Sequence, residues 1–294
     1  MGLHSPCANQ TFPRLSLLGP PVEPDKKAER KEGQMKATCR IAMASMALTV
    51  GFLLHGTGHA QAPQGWVSLF NGKDLTGWKV PEGDNGHWKV LDGVIDYDAQ
   101  SEAKGDKCLW TEKEFGDFTL KIDWRIKEAT GEFTMHEILP DGSYEKDENG
   151  QVIALKQPNA DSGIYLRGSS KAQINIWCWP AGSGEVWGYR TDPKMPAEAR
   201  AGATPKLRAD NPVGEWNAFE ITLKGDRLTV VLNGKTVIEK AQLPGVPQKG
   251  PIALQHHGGM KNGVLQPASS LVQFRNISIK EYQSVLEMTP LPAH

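Results

Sequence analysis

Three segments carry side chains whose types and spacing could do chemistry: "DSGIYLRG" (161–168), "QINIWCWP" (173–180) and "PIALQHHG" (251–258). Each reads as a strand, and strand side chains alternate between two faces. In the second segment Ile174, Ile176 and Cys178 take one face, while Gln173, Asn175, Trp177 and Trp179 take the other. Amides that hydrogen-bond hydroxyls, set beside flat apolar rings, suit a sugar-binding face; plain solvent would favour Lys, Glu or Thr there. In the first segment Tyr165 and Arg167 lie opposite Ile164 and Leu166, and in the third Gln255 and His257 lie opposite Ile252 and Leu254. If the three strands are neighbours, Arg167, Gln173, Asn175, Trp177, Gln255 and His257 line one concave surface, with Asp161 at the strand entrance. Each also has a plain structural explanation. Asp161-Ser162-Gly163 is a good turn, Arg167 can pair on the surface, and a loop can cap His257.

The candidates for a general base are His257, Asp161 and Glu185. A histidine is neutral and basic near pH 7 without special desolvation, its ordinary pKa being about 6.5. Glu185 stands in a Gly-rich loop before Tyr189, and Asp123 and Arg125 share the polar face of "DFTLKIDWRIK". Tyr189, Asp123 and Arg125 join Tyr165 in the candidate substrate-binding set.

Other constellations are missing. A retaining glycosidase on a β-sandwich needs two carboxylates about 5 Å apart, set by Glu-x-Asp-x-x-Glu on one strand face. Glu145-Lys146-Asp147 begins that pattern, but Gly150 stands where its last Glu belongs. The sequence has no Gly-x-Ser-x-Gly, no phosphate loop and no His-Glu-x-x-His. His256 and His257 cannot chelate one zinc from a regular strand, since neighbours face opposite ways. The acidic run from Asp141 to Asn149 could hold calcium weakly, although turn chemistry accounts for it.

The elements that must position these residues are strands. "GHWKVLDGVIDYD" reads as a hairpin turning at Asp92-Gly93, and "DFTLKIDWRIK" puts Phe118, Leu120, Ile122, Trp124 and Ile126 on one face. Pro140-Asp141-Gly142 and Asn149-Gly150 supply turns within a further hairpin, and Asn233-Gly234 makes a primed turn in "LTVVLNGKTVIE". No run of ten residues keeps helical periodicity after residue 65, and residues 191–215 read as a long connection suited to a lid or rim. Many short alternating strands in one stretch of this length predict an all-β sandwich or jelly roll of two antiparallel sheets, a single domain over 63–283. Residues 284–294 read as a tail.

Residues 35–62 read as a signal peptide: Lys36 and Arg40, an apolar run from Ile41 to Leu54, then small residues around Ala60-Gln61-Ala62. That run is short for a membrane span. Residues 1–34, polar and without periodicity, read as an upstream extension. The expected location is therefore the periplasm or the exterior. There Cys108 and Cys178 allow one disulfide, but the inward placement of Cys178 favours buried thiols.

The 294-residue chain has 33 Lys and Arg against 34 Asp and Glu, a net charge of −1, and no basic cluster to track phosphates. Nucleic acid and anionic membrane are poor partners for such a surface. A small carbohydrate is the expected ligand.

The segments "GWVSLFNGKDLTGW", "FGDFTLKIDWRIK", "DSGIYLRG", "GEWNAFEITLKGDRLTVVLNGK" and "GPIALQHHGG…VQFRNISI" occur in an order and spacing that resembles the 3-keto-disaccharide hydrolase family. The resemblance covers nearly all of 65–282. It implies a secreted, concanavalin-like β-sandwich that cleaves 3-keto-glycosides. A ketone at C3 acidifies the C2 proton, so one base can form an enolate that expels the C1 substituent, and water then adds. Such a site needs one base, donors for the enolate oxygen and a platform for the ring, and can omit paired carboxylates. The resemblance keeps the histidine of the family's Gln-x-His-Gly at His257 and leaves Arg167 to donate to the ketone oxygen. Asp161 stands where members typically carry Asn, and Gln173 where they often carry Glu. The alternative reading is a non-catalytic carbohydrate-binding module, favoured by Gln173 in the family's acidic position.

Overall fold

The computed structural model describes residues 65–129, 131–261, 264–266 and 270–282. The expected extension, signal peptide and tail lie outside the described residues. Strands follow one another through the chain: β1 (Val67–Ser68), β2 (Trp78–Lys79), β3 (Trp88–Leu91), β4 (Val94–Tyr97), β5 (Leu109–Phe115) and β6 (Asp117–Ala129). Then come β7 (Glu132–His136), β8 (Ala154–Pro158), β9 (Asp161–Leu166) and β10 (Ser169–Trp177). Two short helices, α1 (Trp187–Arg190) and α2 (Ala197–Gly202), precede β11 (Asn217–Lys224), β12 (Arg227–Leu232) and β13 (Lys235–Gln242). The last are β14 (Gly250–Leu254), β15 (Gly259–Lys261), β16 (Val264–Gln266) and β17 (Ser270–Tyr282).

Two antiparallel sheets form the sandwich. The larger has eight strands in the order β13-β12-β11-β6-β17-β4-β3, with β1 also on β17; the smaller has five, in the order β10-β9-β14-β5-β2. This is the all-β sandwich of two antiparallel sheets that the alternation predicts. Along β6, Phe118, Leu120, Ile122, Trp124 and Ile126 are buried in the core, and Ile164, Leu166, Ile174, Ile176, Ile252 and Leu254 join the same core from the smaller sheet. On the opposite face of β6, Thr119 meets Thr222 of β11 at 2.8 Å and Lys121 meets Glu220 at 3.4 Å, cross-strand partners in register.

Three hairpins turn with two consecutive left-handed residues: Asp92-Gly93, Asn233-Gly234 and Arg167-Gly168. Two of these are the expected Asp-Gly and Asn-Gly turns, whose twist matches that of the strands. The third is not a sequence turn signal, and it redirects Arg167. The segment 191–215 is partly helical, since α2 lies within it and packs against β13. No helix among the described residues is long and apolar enough to cross a membrane.

Candidate functional site

The outer face of the five-stranded sheet gathers part of the expected set in rows. Ala253 of β14 stands opposite both Trp110 of β5 and Tyr165 of β9, and Tyr165 stands opposite Gln173 of β10. One row further, Gly163 pairs with Asn175, and the Gln255 N–H donates to the Gly163 carbonyl at 2.9 Å. Beyond it lie Asp161 and, from the loop after β14, His257. Gly163 is required here by space: a Cβ would sit 2.6 Å from the Gln173 Nε2, so any side chain would push Gln173 off the face. The freed Gln173 amide donates to Gln255 Oε1 at 2.7 Å, and the Gln255 side chain also hydrogen-bonds the Tyr165 hydroxyl. Burial first, and then the charges of Asp161 and Asp106, push the Tyr165 phenol above its ordinary pKa, so it stays protonated.

His257 is the accessible member, with 40% of its side chain exposed, and its Nε2 lies 3.5 Å from Asp161 Oδ2. That separation is longer than a hydrogen bond, so Nε2 is not committed to the carboxylate. Nδ1 is buried and has no hydrogen-bond partner among the described residues, which leaves Nε2 as the nitrogen able to meet a ligand. Asp161, 23% exposed, has its carboxyl pKa raised by burial, a shift opposed by the nearby His257. The backbone of His257 is gripped from beneath by the buried Tyr97 hydroxyl, which accepts from its N–H at 2.6 Å and donates to its carbonyl at 2.7 Å. Neighbouring His256 points inward, edge-on to the Tyr97 ring at 4.9 Å, and burial holds its pKa down to about 3.

The structure thus assembles His257, Asp161, Tyr165, Gln173 and Gln255, and it removes the other expected residues. Trp177 is no platform: it is 2% exposed, packs in the core against Trp179 at 4.5 Å, and donates its indole N–H to the Gly182 carbonyl. Asn175 is buried and gives its amide to Glu185 Oε2 at 3.1 Å. Glu185, 0% exposed, is ion-paired to the buried Arg190 and cannot serve as a base for a ligand on this face. Tyr189 is buried in α1, its ring beneath Lys171.

Arg167 is 1% exposed, because the left-handed turn ends the strand alternation one residue before it. Its guanidinium donates to the carbonyls of Gly116, Gly225 and Pro247 and to Asp117 Oδ1, pinning the turn to the larger sheet. Asp123 and Arg125 belong to β6 and so to the other sheet. There Asp123 accepts from Asn276 at 2.7 Å and Arg125 donates to Gln273 at 2.7 Å while covering the Trp216 ring.

The acidic run closes its own turns. Asp141 accepts from Ser143 and Asp147 from Asn149 and Gln151, and no group of three His, Cys, Asp or Glu placed to hold a metal occurs among the described residues. Cys178 is a buried free thiol, as expected, but Cys108 is not: it is disulfide-bonded, and not to Cys178. The sequence reading missed two residues of the site. Trp110 follows inward-facing Leu109 and so projects outward, a signal that strand alternation carries. Tyr97 gives no such signal, because a buried tyrosine in a strand reads as packing alone.

A family model described as "3-keto-alpha-glucoside-1,2-lyase-like domain" matches residues 65–280. No curated protein matches. Among solved structures, the chain is similar to a "putative glycosyl hydrolase" from Parabacteroides distasonis ATCC 8503, at 24% identity over 75% of this chain and 85% of that one, with a TM-score of 0.48. A second "putative glycosyl hydrolase" from the same organism shares 21% identity over 74% of this chain and 94% of its own, with a TM-score of 0.45. The carbohydrate-binding module CBM66 from Bacillus subtilis shares 14% identity over 74% of this chain and 96% of its own, with a TM-score of 0.31.

Proposed function

The chain belongs to this 3-keto-alpha-glucoside-1,2-lyase-like domain family, and on that premise we propose that it is an exported enzyme that cleaves 3-keto-glycosides on the outer face of its five-stranded sheet. The observation that carries the reading is the exposed His257 with Nε2 3.5 Å from a carboxylate that does not tie it up. His257 Nε2 takes the C2 proton, and the C2–H electron pair becomes the enolate of the C3 ketone. Collapse of the enolate breaks the C1–O bond and forms a C1–C2 double bond. The departing oxygen receives the proton from the imidazolium. Water then adds its hydroxyl to C1 and its hydrogen to C2, so one water is consumed for each bond cleaved.

Asp161 Oδ2 faces the imidazolium that forms, and their opposite charges stabilise it more strongly in this half-enclosed place than in open water. The Gln255 amide, with two N–H donors and its oxygen held by Gln173, can turn a donor to the enolate oxygen. Export, and with it a periplasmic or extracellular site of action, rests on the leader features of residues 35–62.

The purified protein incubated with 3-keto-trehalose and with unoxidised trehalose separates the readings. Release of free sugar from the keto-sugar alone is expected. Binding of both without release would make the protein a carbohydrate-binding module, and cleavage of unoxidised trehalose would make it a conventional glycosidase. N-terminal sequencing of the secreted protein tests export, and a mature terminus before residue 55 would contradict it.

A further inference from the structure

Tyr165 lies beside Gln255 on the same face and has no part in the steps above. Its ring is fixed. With Cys108 and Ala253 it forms a small buried cluster apart from the main core, and the Trp110 indole packs on it with ring centroids 5.9 Å apart. Trp110 is itself tied down, its Nε1–H donating to Asp106 Oδ2 at 2.7 Å. The Tyr165 hydroxyl is held from one side. Gln255 is its hydrogen-bond partner among the described residues, and that bond pulls the phenol pKa down, as an N–H given to the phenol oxygen does. The amide is set for that role, because its oxygen already accepts from Gln173 Nε2 at 2.7 Å. A relay from Gln173 through Gln255 thus ends on the phenol oxygen. It leaves the phenol proton with no acceptor among the described residues.

We propose that Tyr165 is a second catalytic donor, its O–H and the remaining N–H of Gln255 together holding the oxygen of the C3 ketone as it becomes the enolate. The role rests on the reaction read above; the contact with the ketone does not require His257 to be the base. Gln255 stands across from Gly163, midway along β9 between Asp161 and Tyr165. The carbon that loses its proton and the carbon that bears the ketone are neighbours in the sugar ring. A ring that turns C2 to His257 can therefore lay its C3 oxygen between the Gln255 amide and the phenol. The electron pair that leaves C2–H gathers on that oxygen, and donors already aimed where charge develops stabilise it without reorganising. The phenol lends its proton without giving it up. Burial, with the charges of Asp161 and Asp106 on either side, keeps it in the O–H form near neutral pH. The proton balance is unchanged, the C2 proton passing through His257 to the departing oxygen.

Tyr165→Phe keeps the ring on Trp110 and removes the donor. On 3-keto-trehalose its kcat should fall by about 100-fold or more with KM little changed, since the lost bond is strongest in the transition state. A packing defect would also lower kcat, so the contact is read separately on a sugar that cannot eliminate. The 3-keto derivative of 1,5-anhydroglucitol, labelled with 13C at C3, has nothing at C1 to expel. Binding to the wild type should move its carbonyl resonance downfield, as hydrogen bonding to a ketone does. Tyr165→Phe should bring the resonance back toward the free position. Tyr165→3-fluorotyrosine, a stronger donor of nearly the same shape, should move it further downfield. A kcat within about twofold of wild type in Tyr165→Phe, or the same carbonyl resonance in the two proteins, overturns the proposal. If the wild type cleaves no keto-sugar, or if His257→Gln still does, the reading of the reaction falls. The carbonyl resonance alone then upholds or overturns the contact at Tyr165.

Discussion

The Tyr97 hydroxyl holds both ends of one residue, accepting from the His257 N–H at 2.6 Å and donating to the His257 carbonyl at 2.7 Å. His257 lies beyond the last paired residue of β14, where no ladder bond fixes it, so this one hydroxyl sets the height of the imidazole above the sheet. Tyr97 is itself fixed by stacking on Trp88 at 4.7 Å and by the edge contact with His256.

Tyr97→Phe keeps the ring contacts and removes both bonds. Two backbone groups of His257 then lose a buried partner, an expected cost of about 1–3 kcal/mol in denaturant unfolding. In the protein that remains folded, kcat on a 3-keto-disaccharide should fall while KM changes little, because the base is displaced and the binding amides are not. Unchanged kcat would return Tyr97 to a purely packing role.

The pH dependence of stability should carry the mark of His256. Its folded pKa is depressed to about 3 from 6.5, with burial as the main cause and the charges of Lys107 and His257 adding to it, against a weaker opposing pull from Asp98. The unfolded chain therefore binds more protons between those values. The contribution of His256 is full above pH 6.5 and is lost as pH falls toward 3, on the order of 4 kcal/mol across the window. Comparing urea midpoints of the wild type and His256→Phe from pH 7 to pH 4 isolates it. The wild type should lose stability more steeply than the variant, and parallel curves would contradict the burial of a neutral imidazole.

Arg167→Lys should act on folding and not on chemistry. One guanidinium satisfies the carbonyls of Gly116, Gly225 and Pro247 as well as Asp117, and a lysine ammonium cannot reproduce that fork. Breaking this buried arrangement is expected to cost about 3–5 kcal/mol by thermal or denaturant unfolding, with kcat/KM per folded molecule retained. A variant of normal stability that turns over slowly would place Arg167 at the substrate after all.

The contrast between Arg167 and β6 shows what was legible in the sequence. Alternation along β6 gave its inward face residue by residue, and Asp92-Gly93 and Asn233-Gly234 marked their own turns. Arg167-Gly168 adopts the same two left-handed conformations, but an arginine is not a turn signal, so the alternation was carried one residue too far and the side chain put on the wrong face. Trp177 and Glu185 failed for a different reason. Their burial depends on how the chain folds back over them just after β10, the ring of Trp179 with the Gly182 carbonyl for one and Arg190 of α1 for the other, and strand parity does not report what covers a face. The legible part of the site, Tyr165, Gln173 and Gln255 with Asp161, lies where strand parity decides, and His257 keeps that parity past the end of β14 because the Tyr97 hydroxyl holds its backbone.

If His257 removes a proton from C2, exchange of that proton reports it without waiting for bond cleavage. The C2 hydrogen of a 3-keto-disaccharide is followed by NMR in deuterated water with wild-type protein and with His257→Gln, while sugar binding is checked in parallel. His257→Gln is expected to fold and to bind the sugar, but to exchange the C2 proton no faster than a protein-free control. Exchange at the wild-type rate in that variant would contradict it.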